Sequence, residues 1–376
     1  MRGRFELERV PGGQSDFILL MLVVLLAGCG IAALFSASYY YAEKYFSDSF
    51  LFIRKQLILG GVGAVFGFIA FKLSSEFLRR WTPALLLGSL VLMLLTFLPG
   101  LSEEILGARR WIFLFGFSFQ PSELVKLAIV LYLANIFEKK QDRMHDFLNT
   151  VLPSLIVLTV VVGLVLLQND FSSAIFILII GLSMFFMAGV PLLYFVYLLL
   201  AAVPTSLIFL FTKPHRVERL IAFISPEADP VGSGYQVIAA QSALKNGGFI
   251  GQGLGHGIKK LGGLPEVHSD FIFASTAEEV GFMGVFCIIL LFLGFGARAI
   301  LRGYRSGSHY DFLLSFGLAV CILYQALFNM AVVSGLVPAT GIPLPFFSSG
   351  GSSLFVTFLM CGLLLGTTRR QNEERI

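Results

Sequence analysis

Long apolar runs separated by short polar connections make up most of this 376-residue sequence. An α-helix needs about 20 apolar residues to cross the hydrocarbon core of a bilayer. Runs of about this length occupy ten windows, at residues 17–37, 51–71, 82–98, 121–137, 150–167, 171–188, 191–211, 279–300, 311–333 and 350–367. The pattern therefore predicts an all-α, polytopic membrane protein with ten transmembrane helices.

One connection, residues 212–278 between the seventh and eighth predicted helices, is much longer than the others. Loops of this length are usually functional or disordered. The helical apolar spacing of residues 235–244 argues against disorder and predicts an amphipathic helix lying on the membrane. No Pro/Ser-rich linker interrupts the chain. We therefore expect a single transmembrane domain over residues 1–376, with residues 212–278 as a large extracytoplasmic loop.

Composition supports the membrane assignment. Hydrophobic residues make up 56% of the chain and charged residues only 13%, which excludes an ordinary soluble domain. A Gly-rich run at residues 247–257 follows no strand and lacks the GK[ST] of a nucleotide site, so we interpret it as a tight turn. Nothing in the sequence indicates a nucleic-acid partner.

Basic residues in alternate short connections set the expected orientation, because Lys and Arg accumulate on the cytoplasmic side. Placing both termini in the cytoplasm puts the basic residues of the N-terminus, of three connections and of the C-terminal tail on that side. These include Arg9, Lys72, Arg79, Arg80, Lys139, Lys140, Arg298, Arg302 and Arg369. The long loop at residues 212–278 then lies outside the cell.

The segment LPEVHSDFIFASTAEEVGFMG, residues 264–284, places Glu266, His268 and Asp270 directly before an apolar run. Carboxylates next to hydrocarbon are costly and commonly mark ion pairs, proton transfer or substrate contact. The apolar residues that follow Asp270 should remove water from its carboxylate, which raises the pKa and makes it a better proton acceptor. Asp270 is therefore the first candidate for a catalytic residue.

A structural role for these acids is equally open from the residues alone. Glu278, Glu279 and the acids before them could pair with Arg216 or Arg219, earlier in the same loop. Ion-pair networks shift pKa values as readily as active sites do.

Three further polar residues lie within or between apolar runs. Glu123 and Lys126 are i,i+3 neighbours on one predicted helix, where they can pair. An ion pair within a membrane helix indicates either a functional site or a contact that fixes helix packing. Asp170, at an outward turn, is predicted to reach Lys126 or Arg109 across the bundle, or to be a plain turn residue.

The last helix is preceded by three prolines and a run of serines at residues 338–353. Hydroxyls and amides at the start of a helix can hold an anionic group. Helix capping explains the same serines, and we prefer that interpretation.

In chain order, GARRWI, FQPSELVKLA, LQNDFSSA, AFISPEADPVGSGYQ, LPEVHSDFIFASTAEEVGFMG and TGIPLPFFSSGGSS resemble the motifs of the SEDS family, the bacterial cell-wall polymerases. The resemblance covers nearly the whole chain. Two positions depart from the family pattern: Ser349 stands where Tyr is common, and Asn169-Asp170-Phe171-Ser172 replaces the usual Pro-Asp-Phe-Gly.

The resemblance implies a ten-helix fold and a peptidoglycan glycosyltransferase that polymerises lipid II. Asp270 corresponds to the family's essential acid, and Glu123, Lys126 and Asp170 correspond to its polar core residues. We expect Asp270 to act as general base, and a lipid pyrophosphate to leave. The predicted substrate-binding residues are Arg109, Glu123, Lys126, Asp170, Arg216, Arg219, Glu266, His268 and Glu278. The sequence contains no ligand motif that would predict a cofactor, although a divalent cation could assist the leaving group.

Two other functions compete with the polymerase: a lipid II flippase, and a non-catalytic scaffold for division or elongation proteins. The resemblance also implies a class B penicillin-binding transpeptidase as partner, together with undecaprenyl-linked glycan and other division or elongation proteins. The residues of the loop motifs DPVGSGYQ and LPEVHSDFIFA resemble the division branch of the family more than the elongation branch. The expected location is the bacterial cytoplasmic membrane.

Overall fold

The computed structural model of the protein describes residues 16–104, 107–114, 117–211, 214–229, 232, 234–261, 264 and 266–373. Within these ranges the chain is mainly helical. The α-helices are α1 Phe17–Phe46, α2 Leu51–Lys72, α3 Ser75–Leu95, α4 Pro121–Lys139, α5 Leu152–Leu167, α6 Phe171–Met187, α7 Leu192–Phe211, α8 Pro214–Ile224, α9 Tyr235–Gly247, α10 Ile272–Tyr304, α11 His309–Val333 and α12 Gly351–Glu373.

The sequence pattern did not predict one small β-hairpin in the connection between α3 and α4. Strands β1 (Ile112–Leu114) and β2 (Phe117–Phe119) pair antiparallel, with Ile112 opposite Phe119. Strands of three residues are too short to show a period of two in the sequence. The all-α class holds for the bundle, and the hairpin is a local addition to it.

Each of the ten apolar windows overlaps a helix. Within the described residues, seven helices are long and apolar enough to cross a membrane. They are α1, α2, α3, the segment Phe147–Leu167 that contains α5, α10, α11 and most of α12. Helix α6 is apolar but shorter, and α4 carries more charge. The chain is therefore a multi-pass membrane protein, and the number of ten spans stays a prediction.

Side-chain caps mark the beginning of α1 and α3, and two helices begin well before their apolar windows. Asp16 caps α1, since its side chain accepts hydrogen bonds from the backbone N–H groups of Ile18 and Leu19. Ser74 caps α3, which begins seven residues before the predicted window. Helix α10 begins at Ile272, so residues 272–278, which were predicted to belong to the loop, are helical. The apolar windows give the first residues of α1, α2, α4 and α6 correctly, and they miss the starts of α3 and α10 by seven residues each.

Two central helices, α4 and α11, are buried on almost every face, which is typical of helices at the core of a bundle. Helix α12 packs along α2, with close approach at glycines. A Cβ on Gly362 would lie 2.0 Å from the carbonyl oxygen of Gly67. Small residues allow such contact between membrane helices.

Charged and polar contacts join several helices at one end of the bundle. Asp16 pairs with Arg298 at 2.8 Å and with Arg302. Arg79 pairs with Glu138 at 3.1 Å. These residues come from connections that the basic-residue pattern predicts to share one side. The structure places them at one end, and the assignment of that end to the cytoplasm stays a prediction.

Much of the long connection before α10 is folded. Helix α8 is followed by a 3₁₀ turn, by α9 and by a second 3₁₀ turn at Lys259–Leu261. The predicted amphipathic helix is confirmed as α9, but its buried face, which includes Val237, Ala240 and Ala243, packs against α10. The segment is thus held on the bundle by protein contacts.

Candidate active site

Asp270 lies in the turn that leads into α10, at the end of the bundle opposite the Asp16–Arg298 pair. Asn329 of α11 donates to the backbone oxygens of Asp270, at 3.0 Å, and of Ile342, at 2.9 Å. One buried side chain thereby joins the Asp270 turn to the segment before α12. The Asp270 carboxylate itself makes no hydrogen bond or ion pair with any described residue.

Arg110 and Asp270 approach the same point beside Gly341. A Cβ built on Gly341 would lie 3.4 Å from Asp270 Oδ2 and 3.9 Å from Arg110 Nη2. Any larger residue at this position would fill the space between the two side chains. Glycine therefore leaves room for a ligand in contact with both groups.

The Asp270 carboxyl group has a raised pKa of about 6. Removal of water by the surrounding protein is the main cause, and the negative charges of Glu266 and Asp170 act in the same direction. The guanidinium groups of Arg110 and Arg219 partly offset this rise. A carboxylate with this pKa is ionised at neutral pH and is a stronger base than an ordinary aspartate.

Asp170 caps α6 and is saturated with protein contacts. It accepts hydrogen bonds from the Ser173 backbone N–H at 3.1 Å and from the Ser173 hydroxyl at 2.8 Å. Gln120 Nε2 donates to it at 3.1 Å, and Arg110 Nη1 lies 3.6 Å away. The prediction that Asp170 reaches Lys126 or Arg109 is wrong, because Arg110 is its cation. We infer that Asp170 orients Arg110.

Arg109 and Arg110 point in opposite directions. Arg109 is exposed and pairs with Glu104 at 3.3 Å, whereas Arg110 is partly buried at the site. The two residues belong to an extended segment just before β1, and side chains alternate along extended backbone. The sequence analysis predicted Arg109 as a binding residue and missed Arg110. The alternation of side chains shows that only one of the two can point to the site, but the sequence does not show which one.

Glu123 and Lys126 form the predicted i,i+3 ion pair, with both side chains buried and 2.8 Å between Lys126 Nζ and Glu123 Oε2. Lys126 Nζ also donates to Gln325 Oε1 at 3.1 Å. The amide of Gln325 in turn donates to the Pro343 carbonyl and the Ser353 hydroxyl. The pair is thus connected through Gln325 to the segment before α12. Neither of its side chains lines the cavity described next.

A cavity of about 300 Å³ lies beside this site, between α6, α8, α11 and the segment before α12. Arg110, Asp170 and Arg219 line it, with an apolar wall that includes Phe171 and Phe328. Two cations beside an apolar wall suit a ligand with an anionic head and a hydrocarbon tail. The predicted residue Arg216 belongs to α8, and its side chain lies outside the described residues.

His268 and Glu266 lie on the other side of Asp270, next to the α1–α2 connection. The His268 ring packs between Tyr41 and Phe52, with ring centroids 4.8 and 4.3 Å away. Burial lowers the pKa of His268, and the nearby Glu266 carboxylate only partly offsets this. Glu266 is exposed and accepts a hydrogen bond from the Ser269 hydroxyl. Neither residue lines the cavity.

Glu278 is buried away from the cavity. It accepts hydrogen bonds from Asn246 Nδ2 at 3.1 Å and from the Lys259 backbone N–H at 3.0 Å. Its neighbour Glu279 pairs with Lys260 at 2.6 Å. The structural alternative is therefore found at Glu279, which pairs with a basic residue of the loop, although with Lys260 and not with Arg219. Glu278 has the contacts of a structural residue.

The serines around the start of α12 hold neighbouring segments together, and the hydrogen bonds of Ser348 and Ser352 are not those of caps on α12. The Ser348 hydroxyl accepts from the Leu344 backbone N–H and donates to the Ser269 carbonyl. Ser352 accepts from the Gln120 backbone N–H at 3.0 Å. Their hydroxyls bridge neighbouring segments and are not directed at an anion.

Asn169, one of the departures from the family pattern, has a φ of 62°. A proline cannot adopt this angle, so the turn before Asp170 has a backbone conformation that the usual family residue would not allow. The Asn169 side chain donates to the Gly107 carbonyl at 2.9 Å. It thereby connects this turn to the segment that carries Arg110.

Within the part of the chain that the structure describes, no group of three or more His, Cys, Asp or Glu side chains could hold a metal ion. The oxygen atoms of Asp170 are already used by protein donors. Assistance by a divalent cation stays a prediction without a defined protein site.

Comparison with known proteins places this arrangement in a family. The sequence profile FTSW_RODA_SPOVE, described as "Cell cycle protein", matches residues 16–373. The probable peptidoglycan glycosyltransferase FtsW of Geobacter sp. (strain M18) is 39% identical over 364 residues, which are 97% of this chain and 99% of the relative. Stage V sporulation protein E of Bacillus subtilis (strain 168) is 34% identical over 356 residues, 95% and 97% of the two chains.

Solved structures of cell-wall synthesis proteins are also similar to this chain. A chain from a peptidoglycan synthase complex, described for its coordination of polymerization and crosslinking, is similar with a TM-score of 0.77 and 30% identity. The match covers 95% of this chain and 98% of that one. The rod shape determining protein RodA of Thermus thermophilus matches with a TM-score of 0.69 and 28% identity, over 94% and 97% of the chains. With the profile match across almost all of its length, the chain belongs to the FtsW/RodA/SpoVE family of cell cycle proteins, the SEDS family.

Proposed function

We propose that the protein is a peptidoglycan glycosyltransferase that polymerises lipid II into glycan strands, with Asp270 as general base. The names of the relatives support the activity. The observation that carries the catalytic assignment is the Asp270 carboxylate. It is partly buried, it is unpaired among the described residues, and its pKa is raised to about 6 beside Arg110.

In this proposal Asp270 accepts the proton of the acceptor sugar's 4-hydroxyl as that oxygen attacks the anomeric carbon of the lipid-linked donor. The bond from that carbon to the pyrophosphate oxygen breaks, and the configuration changes from α to β. General-base assistance of this kind contributes about 10²- to 10⁴-fold to the rate. An acid already bound to several donors, such as Asp170, would be a poorer base because those bonds stabilise its ionised form.

The leaving lipid pyrophosphate carries the negative charge that develops in the reaction. Arg110 and Arg219 line the cavity and are the cations that we assign to it. Arg110 has unused donors, since its Nε is buried with no partner among the described residues. Lys126 contributes by holding the segment before α12, and Arg109 points elsewhere.

The polymerase is proposed to lie in the bacterial cytoplasmic membrane, with ten spans, cytoplasmic termini and Asp270 on the outer side. A class B penicillin-binding transpeptidase is the proposed partner, because a structural relative comes from a complex that couples polymerization to crosslinking. We assign the chain to the division branch, since relatives at 35–40% identity are named FtsW.

Polymerisation of purified lipid II in detergent tests the proposal. We expect Asp270→Asn to lose activity by about 10²-fold or more, and Glu103→Gln, which alters an exposed carboxylate before the β-hairpin, to retain it. Both variants must elute from size exclusion like the unmodified protein. A folded Asp270→Asn variant with unchanged activity would contradict the base assignment.

The same protein in vesicles separates the competing functions. Relocation of lipid II without glycan strands would indicate a flippase. Absence of both activities, together with normal growth of cells that carry only Asp270→Asn, would indicate a scaffold. If the protein is a polymerase, we expect glycan strands from the unmodified protein and a growth defect in cells that carry only Asp270→Asn.

A further inference from the structure

An exposed apolar surface lies on the segment that follows α9, away from the cavity. We call residues 249–261 the apolar loop. Its large side chains are unusually exposed: Phe249 by 62%, Ile250 by 81%, Leu254 by 69% and Ile258 by 66%. A contiguous apolar surface of this kind indicates an interaction site.

The buried ammonium group of Lys260 in the apolar loop faces the protein. Lys260 is buried and pairs with Glu279 at 2.6 Å, and its ammonium also donates to Ser36 Oγ at 2.9 Å. The Lys259 backbone N–H donates to buried Glu278. A loop in water would place the charge of Lys260 outside and its isoleucines inside. At Lys260, Ile250 and Ile258 the apolar loop has the opposite arrangement, which suits an apolar solvent.

The backbone of the apolar loop is bonded to a break in α10. At Gly281, φ is 65° and ψ is −170°, so the helical hydrogen bonds are interrupted there. Four hydrogen bonds satisfy the backbone groups freed at the break. The N–H groups of Gln252 and Gly253 donate to the carbonyls of Glu278 and Glu279, both at 3.0 Å. The N–H groups of Phe282 and Met283 donate to the carbonyls of Gly248 (2.9 Å) and Phe249 (3.2 Å). Irregular backbone survives at membrane depth only when its polar groups are satisfied internally.

Distances along two helices give the depth of this surface. From Asp16 to Ser36, α1 rises roughly 30 Å, about the thickness of the hydrocarbon core. Ser36 contacts Glu279, so the Lys260–Glu279 pair lies near the far edge of that core. Phe282 lies roughly 24 Å from Arg298 along α10 and is therefore inside the edge.

Aromatic stacking continues the lipid-facing side of α10 onto the apolar loop. The rings of Phe249 and Phe282 stack with centroids 5.8 Å apart, and those of Phe282 and Phe286 with centroids 6.2 Å apart. Phe282 and Phe286 are about half exposed on a helix apolar enough to cross a membrane. The apolar loop thus shares one continuous surface with a membrane-spanning helix.

We propose that the apolar loop is inserted among the acyl chains of the leaflet opposite the Asp16–Arg298 end, at a depth of roughly 5 Å. Bilayer lipid is the partner of this surface. The insertion fixes the height of the Asp270 turn, which follows the apolar loop in the chain, at the membrane surface. This inference does not depend on the proposed catalytic chemistry.

Spin labels in lipid nanodiscs test the insertion. Labels are attached singly at Ile250→Cys, Leu254→Cys and Ile258→Cys after Cys29→Ala and Cys287→Ala have removed the accessible thiols. Lys245→Cys, on the exposed side of α9, is the control. We expect collisions with oxygen to exceed those with the water-soluble nickel complex NiEDDA several-fold at the three loop sites, and the reverse at Lys245.

Accessibility to NiEDDA equal to that of Lys245 would overturn the proposal. Protection from both reagents would also overturn it, because it would mean that protein covers the surface. If the labelled variants fail to fold, unmodified protein is reconstituted with a phospholipid that carries a diazirine in its acyl chain. Mass spectrometry should then find adducts on residues 249–261, and adducts confined to the long helices would contradict the insertion.

Discussion

At the scale of single residues, the site depends on which of several similar side chains has no partner among the residues that the structure describes. Asp170 and Asp270 are both carboxylates at the same end of the bundle, but Asp170 accepts three hydrogen bonds and Asp270 accepts none from the described residues. Arg109 and Arg110 are adjacent, yet only Arg110 lines the cavity. Both distinctions predict different effects of substitution on activity.

The two adjacent arginines give a matched pair of variants. We expect Arg110→Gln to lower kcat/KM for lipid II by about 10²-fold, since removal of a donor at developing negative charge typically has this effect. Arg109→Gln removes only an exposed ion pair with Glu104 and should stay within about twofold of the unmodified enzyme. Equal losses in the two variants would contradict the assignment of Arg110.

Asp270 predicts a pH dependence of both activity and stability. Its raised pKa means that kcat/KM should rise with pH through about 6 and then level off, because the base works only when ionised. The folded protein holds the Asp270 proton up to about pH 6, whereas the unfolded chain releases it near pH 4. The stability that this proton binding contributes is therefore lost as pH rises from about 4 through 6.

Asp270→Asn removes this ionisation, so at pH 7 its Tm should exceed that of the unmodified protein by about 2 °C or more. The difference should shrink on lowering the pH from 6 to 4. Differential scanning fluorimetry in detergent measures it. A lower Tm for Asp270→Asn at pH 7 would indicate that the carboxylate is a structural ion-pair partner after all.

At the scale of elements, the break in α10 is the feature that shapes the site and the apolar loop together. The helix window predicted from residue 279 begins two residues before the break and omits the helical residues 272–278. Gly281 allows the break, since its φ of 65° is unfavourable for residues with a Cβ. A Cβ there would also lie 2.3 Å from the backbone nitrogen of Gly251.

Gly281→Ala is therefore expected to destabilise the protein by more than the roughly 1–3 kcal/mol that this backbone conformation, which is essentially restricted to glycine, costs alone. Gly294→Ala is the control on the same helix, because the nearest atom to its added Cβ is Leu22 Cδ2 at 4.0 Å. The recovery of monodisperse fluorescent fusion protein after heating compares the two. Equal recovery would contradict the role of the break.

At the scale of the whole molecule, polar residues collect at the two ends of an apolar bundle. One end carries the Asp16–Arg298 and Arg79–Glu138 pairs, and the other carries Asp270 and the cavity. Burial of most polar side chains in pairs between helices limits the cost of placing them near hydrocarbon. This division predicts which surface each connection faces in the cell.

Single cysteines at opposite ends of the bundle test that orientation. Glu103 precedes the β-hairpin, and Asp142 follows α4, whose length of roughly 27 Å separates the two ends. With Cys287→Ala as background, a membrane-impermeant maleimide should label Glu103→Cys in intact spheroplasts. It should label Asp142→Cys only after permeabilisation. The opposite pattern would place Asp270 in the cytoplasm and contradict the proposed use of lipid II outside.

The sequence by itself determined the properties that depend on local patterns. Apolar runs located the membrane helices because crossing a bilayer requires a minimum length. The i,i+3 spacing of Glu123 and Lys126 predicted their pair because helix geometry is fixed by the chain. Motif order identified the family and singled out Asp270.

Only the tertiary structure decided which side chains meet across the bundle. Arg110 rather than Arg109 contacts Asp170 because the register of a short extended segment is set by the β-hairpin and by its neighbours. Glu278 and Glu279 became buried structural acids because a loop 19 residues earlier folds back onto the break in α10. Contacts between distant segments depend on backbone direction and packing, and neither is encoded in the spacing of residues along one element.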